Sequence, residues 1–286
     1  MRDEIHVVVD SIAISGETPL KDDPRCHELR LIARHGKEEW RDGERSLEEL
    51  FAMVEKDSTL PGTSQPPIGE ILQLFTSLVQ DGKKVLMVCV DSILSGTFQP
   101  CCVAAQQVMD ENKGADIRVV DGRTAACPLS GVAMAVLEKV DAGVTDMDEL
   151  ENYAKDLVAR TETYFTVSTL DFLQTGGRIG AVGALVGNIL GVRPVIHLDR
   201  EGRLMIADKV RTRKKILKRI IELACSHGPV EAIYVAHAVV PDEAEMLRQQ
   251  MQEAYPGVPI IVTSIGTVLA AHLGPGCIGV FVRRKA

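Results

Sequence analysis

The sequence predicts an α/β fold in which helices cover a largely parallel sheet. Hydrophobic residues make up 45% of the 286 residues and aromatic residues only 4%, so the interior must be built from aliphatic side chains, as in such sheets. Short apolar runs rich in β-branched residues also alternate along the chain with longer segments of helical periodicity. A chain of this length can bury one large core or two ordinary ones.

The elements follow in chain order from these two patterns. Apolar β-branched runs predict strands at 6–9, 85–90, 117–120, 233–236 and 260–262. Helical periodicity predicts helices at 97–111, 128–140, 145–159, 212–227 and 242–255. Ser46 and Glu49 have the spacing of a capping box, which predicts a helix start. A helix over 68–80 is bracketed by Pro66-Pro67 and Gly82, because proline favours a first turn and glycine a position beyond the last.

The pattern changes near Thr161, which predicts two domains, 1–160 and 161–286. The first has the strand and helix alternation of a mainly parallel sheet flanked by helices. The second begins with a strand at 164–167 and contains a hairpin, 194–198 with 204–210, in which Gly202 suits a turn that needs positive φ. We therefore expect a second α/β domain with a mixed sheet.

Charge and cysteine usage exclude several classes of protein. The formal net charge of -8 argues against nucleic acid as the main partner, because binding phosphates requires a basic surface. The seven cysteines form no CxxC pair, which favours neither a zinc site nor a disulfide framework. No signal peptide is recognisable, and the apolar stretch 181–192 is too short to cross a bilayer. We expect a soluble cytoplasmic protein that uses no metal and no cofactor.

Three polar segments lie where predicted strands or helices end: 62–66, 91–97 and 266–276. Their hydroxyl groups and the imidazole of His272 suit the binding of a small oxyanion, such as a carboxylate, without a metal or a fixed positive charge. The first two segments precede helices, whose amino-terminal N–H groups attract anions. The alternative is that these hydroxyls only cap helices, and that His272 is a capping donor or a satisfied core residue.

A basic cluster contrasts with the acidic chain: Lys209, Arg211, Arg213, Lys214, Lys215, Lys218 and Arg219. Such a cluster suits docking of an acidic partner protein, and a solvated helix face is the alternative. The glycines of 274–279 match a dinucleotide-binding motif by letters only, since they follow a helix and enter a strand. The chain contains no phosphate-binding loop, nucleophile elbow or HExxH motif.

A set of short motifs, in one order and spread nearly end to end, resembles the DegV family. The motifs are Asp10-Ser11, Thr63-Ser64-Gln65-Pro66, Ser95-Gly96-Thr97-Phe98-Gln99, Leu170-Asp171-Phe172-Leu173, Gly176-Gly177-Arg178-Ile179, Gly187-Asn188, Lys209-Val210-Arg211 and Gly274-Pro275-Gly276. The sequence departs from the family pattern at Ile14-Ser15, where an Asp-Leu pair is usual, at Pro67, where a serine is usual, and at Pro100.

The resemblance implies a two-domain fold that binds one long-chain fatty acid and buries the acyl chain between the domains. Some bacterial members are carrier subunits of fatty acid kinase in phospholipid metabolism, and present the carboxylate to an ATP-dependent partner that makes acyl phosphate. By the same resemblance, Thr63 and Ser95 in the first domain and His272 in the second, which carries the acyl pocket, bind the carboxylate.

Further residues follow from the resemblance and from the basic cluster. Additional ligand or interface candidates are Ser64, Gly96, Thr97, Arg178 and Gly274. Candidates for docking the partner are Lys209, Arg211, Arg213, Lys214 and Lys215. Residues 181–187 are a candidate lining of the acyl tunnel, and simple packing of a helix on a sheet explains their glycines equally well. Transient contact with a membrane surface fits a lipid carrier. This interpretation assigns the chain no catalysis of its own.

Two alternatives from other classes remain at this stage. In the first, the chain is an acyl-transfer enzyme with Ser95 as nucleophile and His272 as base, although no orienting acid is evident. In the second, it is a regulatory or nucleic-acid-binding protein that uses the basic cluster 209–219.

Overall fold

The computed structural model describes residues 4–15, 18–185 and 192–286. Two compact units are present, one formed by Met1–Leu31 with Ser64–Ala159 and the other by Ile32–Thr63 with Arg160–Ala286. A parallel sheet in the first unit and a mixed sheet in the second confirm the predicted α/β class.

The bounds of the elements are as follows. The strands are β1 (Glu4–Asp10), β2 (Cys26–Leu29), β3 (Ile32–His35), β4 (Glu38–Arg41), β5 (Gly62–Ser64), β6 (Lys83–Cys89), β7 (Ile117–Asp121), β8 (Thr161–Thr166), β9 (Arg193–Leu198), β10 (Leu204–Val210), β11 (Val230–His237), β12 (Ile260–Ser264) and β13 (Ile278–Arg284). The helices are α1 (Leu47–Asp57), α2 (Ile68–Gln80), α3 (Phe98–Glu111), α4 (Pro128–Asp141), α5 (Met147–Ala159), α6 (Asp171–Thr175), α7 (Arg213–Ala224), α8 (Pro241–Ala254) and α9 (Thr267–Leu273).

The sheet of the first unit has the strand order β2-β1-β6-β7, and all neighbouring strands are parallel. Strands β1 and β6 are buried along most of their length, which explains why they are continuous apolar runs rather than alternating ones. Helices α2 and α3 pack on each other and on β6 and β7, while α4 and α5 pack on each other and on the sheet. Polar residues that follow β6 therefore lie at the carboxyl edge of a parallel sheet, where ligands commonly bind.

The second unit contains a six-stranded mixed sheet with the order β10-β9-β8-β13-β11-β12. Strands β11 and β12 are parallel, and the other neighbours run antiparallel. Helices α7 and α8 cover it and enclose an aliphatic core that includes Ile216, Ile233 and Leu247. The predicted hairpin is confirmed as β9 and β10, and Gly202 in its turn has φ 90°.

Residues 32–63 group with the second unit, whereas the sequence analysis assigned them to the amino-terminal domain. They form α1 and most of a small sheet with the order β4-β3-β5. Side-chain contacts explain the difference: Trp40 donates a hydrogen bond to Thr267, and the Phe51 and Phe172 rings meet edge to face at 6.4 Å. Thr63 therefore belongs to the second unit, because tertiary contacts outweigh proximity along the chain.

Several local predictions are confirmed. Ser46 and Glu49 form a complete capping box at the start of α1. Helix α2 spans Ile68–Gln80 as predicted, and Gly82 beyond its end has φ 75°, but Pro67 is the N-cap residue and does not lie in the first turn. Pro100 lies in the first turn of α3, where a missing N–H costs little, and Ile14 is buried.

Some sequence predictions extend past the described residues. Gly187-Asn188 of the family pattern lies outside them, and the candidate tunnel segment 181–187 is described only as far as Leu185, within a 3-10 helix, Gly180–Leu185. Over residues 4–15, 18–185 and 192–286, no helix is both long enough and apolar enough to cross a membrane.

Candidate functional site

Two of the three predicted carboxylate ligands meet in the second unit. Thr63 lies on β5, and His272 lies in the last turn of α9, 209 positions further along the chain. The Oγ1 atom of Thr63 and the Nε2 atom of His272 are 2.8 Å apart, in a hydrogen bond. His272 therefore does not cap its own helix, and its imidazole is joined to the hydroxyl group that the sequence analysis singled out.

The imidazole of His272 is enclosed on its other side by Gly176. A Cβ atom at Gly176 would lie 2.3 Å from Nδ1 of His272, so only glycine leaves room for the ring. Nδ1 is buried and, among the described residues, has no hydrogen-bond partner. Burial, with a smaller contribution from the charge of Arg178, lowers the pKa of His272 to about 4. The ring is therefore neutral at pH 7.

Arg178 brings a positive charge close to this pair. Its Nη1 atom donates a hydrogen bond of 2.5 Å to the carbonyl oxygen of Gly176, the residue that contacts His272. The three polar segments themselves contain no fixed positive charge, and the turn after α6 places a guanidinium group near the imidazole. A positive charge beside uncharged donors favours an anionic ligand.

The turn after α9 depends on two glycines and one arginine. Gly274 ends the helix with φ 72°, and a Cβ atom there would lie 2.6 Å from the ring of Phe172. Arg213 donates a hydrogen bond of 2.7 Å to the carbonyl oxygen of Gly276. Gly274 thus has a conformational and steric role, and the turn that follows His272 is held by a side chain of α7.

The loop that carries Ser95 belongs to the first unit. Asp91 organises it: Oδ1 accepts hydrogen bonds from the N–H groups of Ile93 and Leu94, and the carbonyl oxygen accepts one from Ser95. The Oγ atom of Ser95 lies 2.9 Å from Oγ1 of the buried Thr97. Burial, reinforced by the charge of Asp121, raises the pKa of Asp91 to about 6. The hydroxyl of Ser95 is therefore held in a defined loop, not in a helix cap.

Neither Thr63 nor Ser95 is the N-cap residue of the helix that follows it, so the alternative interpretation as helix caps is not supported. Helix α2 begins after Pro67 and helix α3 after Thr97, and neither N-cap residue makes a side-chain capping hydrogen bond. Thr63 lies in a strand and bonds His272, whereas Ser95 bonds Thr97. The candidate nucleophile Ser95 and the candidate base His272 are thus each hydrogen-bonded to a threonine.

Members of the basic cluster have different environments. Arg213 forms an ion pair of 2.5 Å with Glu243 besides its bond to the turn, so it has an internal role that the docking prediction did not include. Arg219 pairs with Asp208 and Glu222. The other predicted docking residues are exposed: Lys209, Arg211, Lys214 and Lys215. For these four, docking of a partner stays a prediction.

The sequence analysis missed residues that shape both loops. A Cβ atom at Gly96 would lie 2.4 Å from Oε1 of Gln65, so this glutamine lies over the Ser95 loop. Asp42 and Trp40 both hydrogen-bond Thr267 at the start of α9. Gln65 belongs to the motif 63–66, so its role could have been predicted from the sequence. No local sequence pattern marks Asp42 or Trp40 as functional residues.

Comparison with known proteins identifies the family. A family model for uncharacterised proteins of the DegV family matches residues 4–285. The chain belongs to the DegV family. A DegV domain-containing protein of Streptomyces coelicolor is 35% identical over 228 residues, which are 78% of each chain. Protein DegV of Bacillus subtilis is 29% identical over 280 residues, 96% of this chain and 98% of that protein.

Solved structures of DegV proteins have the same fold. A fatty acid binding DegV family protein from Streptococcus agalactiae superposes with a TM-score of 0.88 at 25% identity, over 99% of this chain and 100% of the other. A DegV family protein from Thermus thermophilus, whose structure is described by its fatty acid binding, superposes with a TM-score of 0.86 at 27% identity, over 99% of this chain and 100% of the other. DegV of Bacillus subtilis, described as a fatty acid binding protein, superposes with a TM-score of 0.85 at 27% identity, over 99% of this chain and 100% of the other. These DegV proteins bind fatty acids.

Proposed function

We propose that this protein binds one long-chain fatty acid, with its carboxylate held by Thr63, Ser95 and His272. The observation that carries the proposal is the hydrogen bond between Thr63 and a neutral, half-buried His272. Two family members of the same fold, at 25% and 27% identity, are named as fatty acid binding proteins, which supports the ligand class.

The direction of that hydrogen bond suits an anion. A neutral imidazole carries one N–H group, and buried N–H groups without a partner are rare in proteins, so we place the proton on Nε2 rather than on the unpartnered Nδ1. Nε2–H then donates to Oγ1 of Thr63, and the threonine hydroxyl proton is free to donate to a carboxylate oxygen. The opposite tautomer would use up the threonine proton and turn lone pairs towards the ligand.

Ser95 is the second proposed hydroxyl donor. If Thr97 donates to Oγ of Ser95, the serine proton is free for the carboxylate, as at Thr63. Ser64, Gly96 and Gly274 would shape the loops beside these donors, and Arg178 would add electrostatic attraction. The acyl chain supplies most of the affinity: 14–16 methylenes at about 0.8 kcal/mol each contribute about 11–13 kcal/mol before the costs of association.

We further propose that the bound acid is presented to an ATP-dependent kinase partner that makes acyl phosphate. Hydroxyl donors leave a carboxylate more nucleophilic than a close ion pair does, which suits attack on a γ-phosphate. The exposed Lys209, Arg211, Lys214 and Lys215 are the proposed docking residues. In this role the chain is a carrier with no catalysis of its own.

The first test is native mass spectrometry of the protein purified from a bacterial host. We expect the added mass of one long-chain fatty acid. The Thr63→Ala variant with Ser95→Ala should lose it, because two of the head-group donors are gone. Thr63→Ser, which keeps a hydroxyl group, is the matched control and should retain the ligand. Equal occupancy in the double variant, or a wild-type protein that takes up no palmitate after delipidation, would refute the proposal.

A further inference from the structure

The helix that carries His272 is too short to fix its own position. Helix α9 has seven residues, and its N-cap residue, Gly266, has no side chain with which to cap it. Helices of this length are marginal alone, and the N–H groups of their first turn need partners from elsewhere. The groups that bind the first turn of α9 therefore decide where His272 lies.

Asp42, which follows β4, supplies those groups. Its Oδ1 atom accepts a hydrogen bond of 3.1 Å from the N–H of Val268 and one of 3.0 Å from the hydroxyl of Thr267. The carboxylate is only 2% exposed, and a negative charge at a helix start is favourable. A residue 226 positions earlier in the chain thus caps the helix that bears the imidazole.

Trp40 completes the arrangement. Its Nε1–H donates a hydrogen bond of 3.1 Å to Oγ1 of Thr267, so the threonine hydroxyl donates to Asp42 and accepts from Trp40. Trp40 and Thr267 are 5% and 1% exposed. Because a buried polar group is costly when it loses its partner, this network admits few alternative positions of the helix.

The same small sheet also carries Thr63. Its strand order is β4-β3-β5, with Trp40 on β4 and Thr63 on β5. The sheet thus holds the start of α9 through Asp42 and presents Thr63 to the end of α9. The distance between Thr63 and His272 is therefore set by the sheet and by the contacts of Asp42 and Trp40.

We propose that Asp42, Thr267 and Trp40 are positioning residues that hold α9 in the register in which His272 meets Thr63. This inference rests on the fatty-acid function proposed above. In this role the three residues act through the imidazole and not on the carboxylate itself.

The test compares Thr267→Val, which removes the hydroxyl, with Thr267→Ser, which keeps it. We expect Thr267→Val to weaken palmitate binding at least about tenfold, because it removes both the hydrogen bond from the hydroxyl to Asp42 and the one that the hydroxyl accepts from Trp40. In the ligand-free protein, the titration of the His272 ring followed by NMR should move up from about 4 towards its ordinary value as the ring is displaced. Thr267→Ser should leave both quantities within about twofold of wild type.

Thr263→Val, the same change at another buried threonine of the second unit, is the control and should move neither quantity. If Thr267→Val does not fold, Trp40→Phe removes one donor from the network and is judged by the same two measurements. Unchanged palmitate affinity in the variant, whatever its titration, overturns the inference, and so does an unchanged titration. Failure of the wild type to bind palmitate would refute the proposed function instead. The titration of the His272 ring would then still show whether Asp42, Thr267 and Trp40 position the imidazole.

Discussion

At the residue scale, the space around His272 exists because of glycine. A Cβ atom at Gly176 would lie 2.3 Å from Nδ1 of His272 and 3.0 Å from the carbonyl oxygen of Phe172. The first neighbour is the end of a side chain and can move, but the second is backbone and resists. A larger residue would therefore displace the imidazole and strain α6.

Gly176→Ala should accordingly lower the free energy of unfolding by about 1–3 kcal/mol, as overpacking does. Urea denaturation measures this, and NMR of the His272 ring reports its displacement. Gly69→Ala is the matched control, because a Cβ atom at Gly69 in α2 has no neighbour within 4 Å. We expect that variant to be as stable as wild type or up to about 1 kcal/mol more stable. Equal effects of the two changes would contradict the steric argument.

At the scale of elements, Arg213 connects α7 to α8 and to the turn after α9. Two of its nitrogens bond the carboxylate of Glu243 on α8, and Nη2 also donates to the carbonyl oxygen of Gly276. The residue is one of a run of basic side chains in the sequence, yet its contacts are internal. A planar guanidinium group can make these bonds together, whereas an ammonium group cannot.

Arg213→Lys is therefore expected to lower the free energy of unfolding by about 1–3 kcal/mol, because Glu243 and the turn lose part of their hydrogen bonding. Thermal or urea unfolding measures the loss. Arg211→Lys, the same change at an exposed position two residues away, should alter stability by less than about 0.5 kcal/mol. If the two variants were equally stable, the internal role of Arg213 would be wrong.

At the scale of the whole molecule, buried and half-buried histidines make stability depend on pH. Burial is the main cause that lowers the pKa of His6, His27, His237 and His272. The unfolded chain binds protons at these rings below about pH 6.5, while the folded chain does not until the pH is lower, so stability falls as the pH falls through that window. Asp91 has the opposite sign, since its raised pKa gives stability that is lost as the pH rises towards 6.

We expect His272 alone to reduce the free energy of unfolding by about 2 kcal/mol between pH 7.5 and pH 5. Urea denaturation of wild type and His272→Gln at the two pH values measures this, and the variant should lack that part of the change. Asp91→Asn should steepen the loss towards pH 5, because it removes the opposing group. An unaltered pH dependence in His272→Gln would show that the imidazole is not held neutral.

The elements could largely be predicted from the sequence, since their signals lie within a few residues of each other. Capping of α1 by Ser46, the turn at Gly202 and the apolar runs of β1 and β6 are of this kind. The strands β3, β4 and β5 were not predicted, because they are three or four residues long and alternate poorly. The assignment of residues 32–63 to the second unit depends on their packing against α6 and α9, which no local pattern records.

For the site, the sequence by itself determined the residue types and the family resemblance: hydroxyls at 63 and 95, an imidazole at 272 and glycines around them. Only the tertiary structure decided that Thr63 bonds His272, that the imidazole is neutral, that Asp42 holds the start of α9 and that Arg213 holds the turn after it. The physical reason is the separation along the chain over which each interaction acts. Caps, turns and periodicity act between near neighbours in the chain, whereas burial and hydrogen bonds across more than 200 residues exist only once a whole unit has packed.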